Sequence, residues 1–306
     1  MRNDPTRTDA LLAWFEPRRR AYPWRRRPTP YRVLVSEVML QQTQAARVVP
    51  AFVRFVAAFP TLRALAAAPA AGVLRAWDGL GYNRRAVALS RAAREIRAGH
   101  GGRVPRDPEA LRALPGVGPY TADAVAAIAF GEPVVAADVN VLRVTARAML
   151  GADPSAVPRA DVVRAASEWL GQADPADWNQ ALMDLGREVC RSVPRCGVCP
   201  ISGSCAFVGP AARGGRAATG HATPVRATAA RAAAPAARPR SQGPFEGSMR
   251  QVRGAVVRTL RTRSSIGILA LSREIGEPEE RVRAAVGALQ REGVVISVRG
   301  RVRLPE

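Results

Sequence analysis

All four cysteines of the chain fall between Cys190 and Cys205, in CRSVPRCGVCPISGSC, with five, two and five residues between successive members. Thiols gathered this tightly bind metal or form disulfides, and the second choice does not suit a reducing compartment. Structural zinc normally takes its four thiolates from two separate two-residue knuckles. A single CxxC flanked by longer loops better suits an iron–sulfur cubane, which also takes four thiolates. Cys190, Cys196, Cys199 and Cys205 are therefore expected to hold a 4Fe-4S cluster, with zinc as the alternative.

Two carboxylates invite a different chemistry. Glu37 lies in PYRVLVSEVMLQQ, where Tyr31, Leu34, Val35, Val38 and Met39 form one helical face and Val33 and Leu40 flank Glu37 on the other. A helix apolar nearly all round is buried, and a carboxyl group inside it holds its proton more readily, as an acid catalyst must. The structural alternative is a carboxylate paired with an arginine. Asp138 precedes VNVLRVTARAML, and by itself reads as a helix N-cap.

The elements around these residues are helical. Of 306 residues, 47% are apolar but only 5% aromatic, and Ala and Leu outnumber β-branched runs, which favours packed helices over sheets. Asp107 and Pro108 read as an N-cap and first helical residue, LPGVG as a tight turn, and Pro119 as the start of a second helix. The free amides at Gly116 and Gly118 could grip a phosphate without reading sequence, as a helix-hairpin-helix does. The alternative is an ordinary helical hairpin. The net charge of +21 and pI near 11.6 suit a nucleic-acid partner. All 46 basic side chains are arginine. No apolar run reaches a membrane span, and MRNDPTRTDALLAWF lacks the apolar core of a signal peptide, so a cytoplasmic protein without membrane contact is expected.

The chain divides by composition. Residues 1–207 read as one helical body and 208–244 as a basic linker rich in Ala, Pro, Gly and Arg. Residues 245–306 read as a small winged-helix-like domain: VRGAVVRTLRT, ILALSREIG and EPEERVRAAVGALQREG as helices, then two short strands around Arg299-Gly300. Such a module touches DNA or a protein partner.

Taken together, SEVMLQQTQ, GLGY, LPGVGPYTA, the Asp138 segment, NQALMDLG and the four cysteines resemble the helix-hairpin-helix DNA glycosylases that carry an iron–sulfur cluster, and within them the adenine-specific MutY type. The tail beginning MRQVRGAVVRTL is similar to that of actinobacterial members. The resemblance covers about residues 9 to 207. It implies a mainly α glycosylase that removes adenine mispaired with 8-oxoguanine or guanine from double-stranded DNA, as a monomer. Glu37 would protonate adenine at N7 and Asp138 would stabilise the sugar cation, with Tyr120 and Asn140 beside them. Trp24, Arg25, Leu40 and Gln180 would line the pocket for the flipped base, and Gln42 and Tyr82 would wedge into the stack near the opposing lesion. The cluster would be structural and would shape a loop presenting Arg191 and Arg195 to phosphates.

The lysine used for strand cleavage by related enzymes is replaced by Tyr120, and the chain holds no lysine at all, so hydrolysis without strand cleavage follows. Three departures from the pattern stand out. Cys190 and Cys196 enclose one residue fewer than the family usually places there, Asn83 stands where many relatives have a second tyrosine, and the tail is too short for the nucleotide-hydrolase-like domain of many adenine glycosylases. The alternatives are a glycosylase for damaged pyrimidines or thymine mismatches, and a non-catalytic DNA-binding protein.

Overall fold

The computed structural model describes residues 5–19, 22–208 and 244–306. The expected linker, apart from its two end residues, lies outside them. Nearly all described secondary structure is helical, and no described helix is long and apolar enough to cross a membrane. By contact the chain forms two compact units, Met1–Ala21 with Asp123–Arg240, and Tyr22–Ala122 with Ser241–Glu306.

In the first unit the helix Val139–Leu150 packs on Arg159–Leu170 and Pro175–Glu188, and the latter also packs on Pro5–Phe15. Their shared core includes Leu11, Phe15, Val144, Leu182 and Leu185, with Trp169 and Trp178 edge to face at 5.7 Å. Full burial of each large apolar side chain contributes roughly 1.5–3 kcal/mol. Local signals set the boundaries: Asp174 caps one helix by accepting from the Asp177 amide, and Gly151 ends another in the left-handed region. The cysteine loop follows the Pro175–Glu188 helix as short 3₁₀ turns.

In the second unit Thr29 caps the helix Pro30–Leu40, with Pro30 in its first turn. Residues 33 to 39 of that helix are all buried, as the all-round apolar pattern requires. It packs on Ala45–Ala58 and Arg84–Gly99, over a core containing Phe52, Phe55 and Trp77. Asp107 accepts from the Ala110 amide at 3.0 Å, so the hairpin's first helix, Pro108–Arg112, begins where the cap predicts, and Pro119–Phe130 follows the turn.

The C-terminal residues of this unit form helices Met249–Thr262, Ile268–Ile275 and Glu279–Arg291. Beside them lie three strands, β1 (Ile266–Gly267), β2 (Ile296–Val298) and β3 (Arg301–Arg303), in the antiparallel order β1-β3-β2. Arg299 and Gly300 both have positive φ, the conformation that lets a two-residue turn match the strand twist. The sequence suggested the β2–β3 hairpin. It did not suggest β1, whose two residues gain strand character only by pairing with Arg301 and Val302.

Candidate active site

Glu37 and Tyr120 meet. The Glu37 side chain is 5% exposed, and the Tyr120 hydroxyl donates to its Oε2 at 3.2 Å. The helix Pro30–Leu40 supplies the carboxyl group, and the first turn of the second hairpin helix supplies the phenol.

The adjoining loop carries Gln42, which, like Tyr82, is exposed and has a positive φ, 55° and 45° respectively. Non-glycine residues adopt that conformation only when their surroundings impose it. The imposing group is Arg85, a residue with no local sequence signal to single it out. It is 7% exposed. Its Nη1 donates to the carbonyls of Val38 at 3.0 Å, Met39 at 2.8 Å and Gln41 at 2.5 Å. Its Nη2 donates to Thr43 Oγ1 at 3.0 Å and to the carbonyls of Leu80 at 3.3 Å and Gly81 at 3.4 Å. Through its two Nη groups, one guanidinium thus terminates the Glu37 helix and fixes both left-handed loops, which a planar fork can do and an ammonium cannot. Burial lowers its pKa to about 10, so it remains charged at neutral pH.

Gln42 and Tyr82 line one open cleft with Gly116 and Gly118. Gly116 has φ +78°, and a Cβ there would lie 2.7 Å from the Ala88 Cβ; the hairpin reaches the Arg84–Gly99 helix only because that residue is glycine. Gly118 faces open space. Trp24 is buried, stacked on Tyr22 at 4.8 Å and edge-on to Phe52, while the Arg25 guanidinium lies over the Tyr22 ring. Leu40 is half-buried at the end of its helix.

Asp138, Asn140 and Gln180 belong to the first unit. Asp138 caps the Val139–Leu150 helix: its Oδ1 accepts from the amides of Asn140 at 2.8 Å and Val141 at 2.7 Å, and its Oδ2 accepts from Asn140 Nδ2 at 2.7 Å. Burial raises the pKa of this carboxyl group, while those bonds and the nearby Arg143 oppose the rise. Gln180 is buried and donates to the Ala176 carbonyl of its own helix. Its neighbour Asn179, not singled out from the sequence, accepts from the Ala136 amide at 2.8 Å and donates to the Val134 carbonyl at 3.0 Å, which fixes the segment leading to Asp138. A Cβ on Gly186 would lie 2.6 Å from the Asn140 Cβ, so glycine there lets Asn140 take its place.

The four cysteines line one small cavity together with Val144, Arg147 and Ile201, and none forms a disulfide. Arg147 Nη1 donates to Cys190 Sγ at 3.8 Å and to the Arg191 carbonyl at 2.6 Å. Burial pushes the Cys199 thiol up to about 11 and raises Cys196, the latter also through the neighbouring Cys205 and Cys190 sulfurs. Among the described residues no three Cys, His, Asp or Glu side chains are grouped to hold a single metal ion.

Residues 35–171 match the family described as HhH-GPD superfamily base excision DNA repair protein. Over those residues the chain is similar to that superfamily. It is 43% identical over 194 residues to an adenine DNA glycosylase of Mycolicibacterium smegmatis, an alignment covering 63% of this chain and 66% of the relative. It is 48% identical over 199 residues to an adenine DNA glycosylase of Mycobacterium tuberculosis, covering 62% and 64%. The chain thus spans just under two thirds of the length of these relatives. Among solved structures, a thermostable thymine-DNA glycosylase superposes with a TM-score of 0.60 at 29% identity, covering 66% of this chain and 94% of that one.

Proposed function

We propose that this chain is an adenine DNA glycosylase of that superfamily, which hydrolyses the N-glycosidic bond of adenine mispaired with 8-oxoguanine or guanine in double-stranded DNA and leaves the strand intact. The observation that carries the reading is the buried Glu37 carboxyl group hydrogen-bonded to Tyr120, at a position where strand-cleaving relatives use an amine. The adenine glycosylase relatives support the choice of base.

In this reading Glu37 gives its proton to N7 of the flipped adenine as the bond from N9 to the sugar breaks, so the electron pair leaves with a neutral base. Asp138 faces the cation left on the sugar, held in orientation by Asn140 and its own cap. Water adds to that carbon and loses a proton. By resemblance to the family, Trp24, Arg25, Leu40 and Gln180 are the residues assigned to contact the flipped base, and Gln42 and Tyr82 those assigned to enter the stack beside the opposing lesion. Tyr120 cannot form an imine, and the chain holds no lysine, so no Schiff base forms at the sugar and the strand is not cut.

Cys190, Cys196, Cys199 and Cys205 would hold a 4Fe-4S cluster: the four thiols line one cavity, and a cubane takes four thiolates. When bound, the cluster supplies structural cross-linking of the loop, and Arg191 and Arg195 are exposed on that loop for phosphate contact.

Product analysis on duplexes with single defined mismatches tests the reading. Adenine opposite 8-oxoguanine or guanine should be released, the strand should break only after alkali or heat, and borohydride should trap no covalent adduct. Glu37→Gln should bind the same duplexes without releasing adenine. Release of thymine or a damaged pyrimidine in place of adenine, or release by the Glu37→Gln protein, would overturn the assignment.

A further inference from the structure

We propose that Arg261, in the C-terminal segment, is a positioning residue for lesion recognition: it braces the loop that presents Tyr82, so the segment takes part in reading the base opposite adenine. The inference rests on the reading above for what Tyr82 does, but the bracing is observed directly.

Arg261 stands in the last turn of the Met249–Thr262 helix, with its side chain 14% exposed. Its Nη1 pairs with the Asp78 carboxylate, its Nε donates to the Leu74 carbonyl at 3.2 Å, and its Nη2 donates to Asn83 Oδ1 at 3.4 Å. Asp78 and Asn83 bracket the Gly79–Tyr82 loop, so one planar fork grips the loop at both ends. Arg75 Nε returns a bond to the Arg261 carbonyl at 3.2 Å, and the Ala71 amide donates to the Pro305 carbonyl at 2.8 Å. The segment thus meets the short helix Ala70–Ala76 at both of its ends.

Asn83 stands at the start of the Arg84–Gly99 helix with helical φ and ψ, so its side chain makes no cap bond. Its oxygen accepts from Arg261. The rest of the loop is held through its backbone: Arg47 reaches the Gly79 carbonyl at 2.7 Å, Arg54 the Asp78 carbonyl at 3.3 Å, and Trp77 Nε1 the Gly81 carbonyl at 3.1 Å. Arg261 alone among these fixes the two flanking side chains, and it comes from another part of the sequence.

The experiment uses the full chain and its Arg261→Gln, Asp78→Asn and doubly substituted forms, on duplexes with 2-aminopurine beside an adenine–8-oxoguanine pair and on undamaged duplexes. Arg261→Gln and Asp78→Asn should each weaken lesion binding by about five- to tenfold, the scale of one ordinary hydrogen bond, and should reduce the 2-aminopurine signal of stack opening. Affinity for undamaged duplex and the single-turnover rate at saturation should stay within about twofold, a split that general loss of structure would not produce. The double substitution should cost no more than either single one. An unchanged 2-aminopurine signal and lesion affinity in both single variants would overturn the proposal, as would equal losses on lesion and undamaged duplexes. If Arg261→Gln lowers the melting temperature, Asp78→Asn decides alone, because it leaves the C-terminal core untouched. Absence of adenine release by the unsubstituted chain would refute the glycosylase reading instead, since the binding comparison needs no catalysis.

Discussion

The Arg143 guanidinium joins Asn140 to Cys190. Its Nη2 donates to Asn140 Oδ1 at 2.8 Å, and its Nε donates to the Cys190 carbonyl at 2.7 Å. Asn140 in turn donates to Asp138, so a short chain of hydrogen bonds runs from the first cysteine to the candidate catalytic carboxylate. One turn further on, Arg147 holds the carbonyls of Arg191 and Ser192. The Val139–Leu150 helix thus offers two arginines to the backbone of the cysteine loop.

Arg143→Gln should slow single-turnover adenine release by roughly 10- to 100-fold, the effect of losing a charged hydrogen-bond hub. Iron per chain, counted in the same preparations, separates the two ends of the network. A rate per iron-loaded molecule equal to that of the parent would show that the loop does not orient Asp138.

Asp138 should give the reaction an acid limb above the ordinary carboxylate range. Burial raises its folded pKa, so between the unfolded and folded values the folded chain retains a proton that the unfolded chain has released. The stability from this group is complete below the unfolded value and is lost as pH rises through the folded one. The anion that the reaction needs appears only at the upper end of that window. A pH profile of single-turnover rates whose acid limb falls at an ordinary carboxylate value would contradict this. Asp138→Asn, which keeps a good capping residue, should abolish most of the rate and flatten the same window in urea-unfolding midpoints.

Anaerobically purified protein should be brown and carry about four irons per chain. Cys199→Ser should lower both iron content and affinity for DNA. Stoichiometric zinc with little iron, measured by elemental analysis, would favour the knuckle-type alternative.

Gly116→Ala should destabilise the fold by about 1–3 kcal/mol, because the added carbon meets Ala88 and the backbone there is left-handed. Gly118→Ala, which faces open space, should change stability by no more than about 0.5 kcal/mol. Thermal melts of the two proteins compare them directly, and equal melting temperatures would contradict the close approach seen at Gly116.

The sequence carried the parts of this molecule that depend on local periodicity and caps. The burial of the Glu37 helix followed from its apolar residues on every side, the start of the hairpin from Asp107-Pro108, and the β2–β3 turn from Arg299-Gly300. The contact between Tyr120 and Glu37 was legible through resemblance to the family, since the residues lie 83 positions apart. Arg85, Arg143 and Arg261 were illegible for a physical reason. Each acts by donating to backbone carbonyls distant in sequence, and carbonyls have no sequence signature. In a chain with 46 arginines, nothing local distinguishes the few that are buried from the many that are solvated.

On the proposed reading, in which Gln42 and Tyr82 enter the stack, their left-handed conformations bear on how the protein would search DNA. Each such conformation costs on the order of 1–3 kcal/mol, and here Arg85 imposes it before any duplex is bound. Two prongs set in advance need little ordering on contact, which lowers the entropic barrier to each encounter. A protein built this way can sample successive base pairs with a rigid probe and leave quickly where the stack resists. Selectivity would then arise from the stiffness of the DNA at each step as much as from contacts formed after the base has flipped.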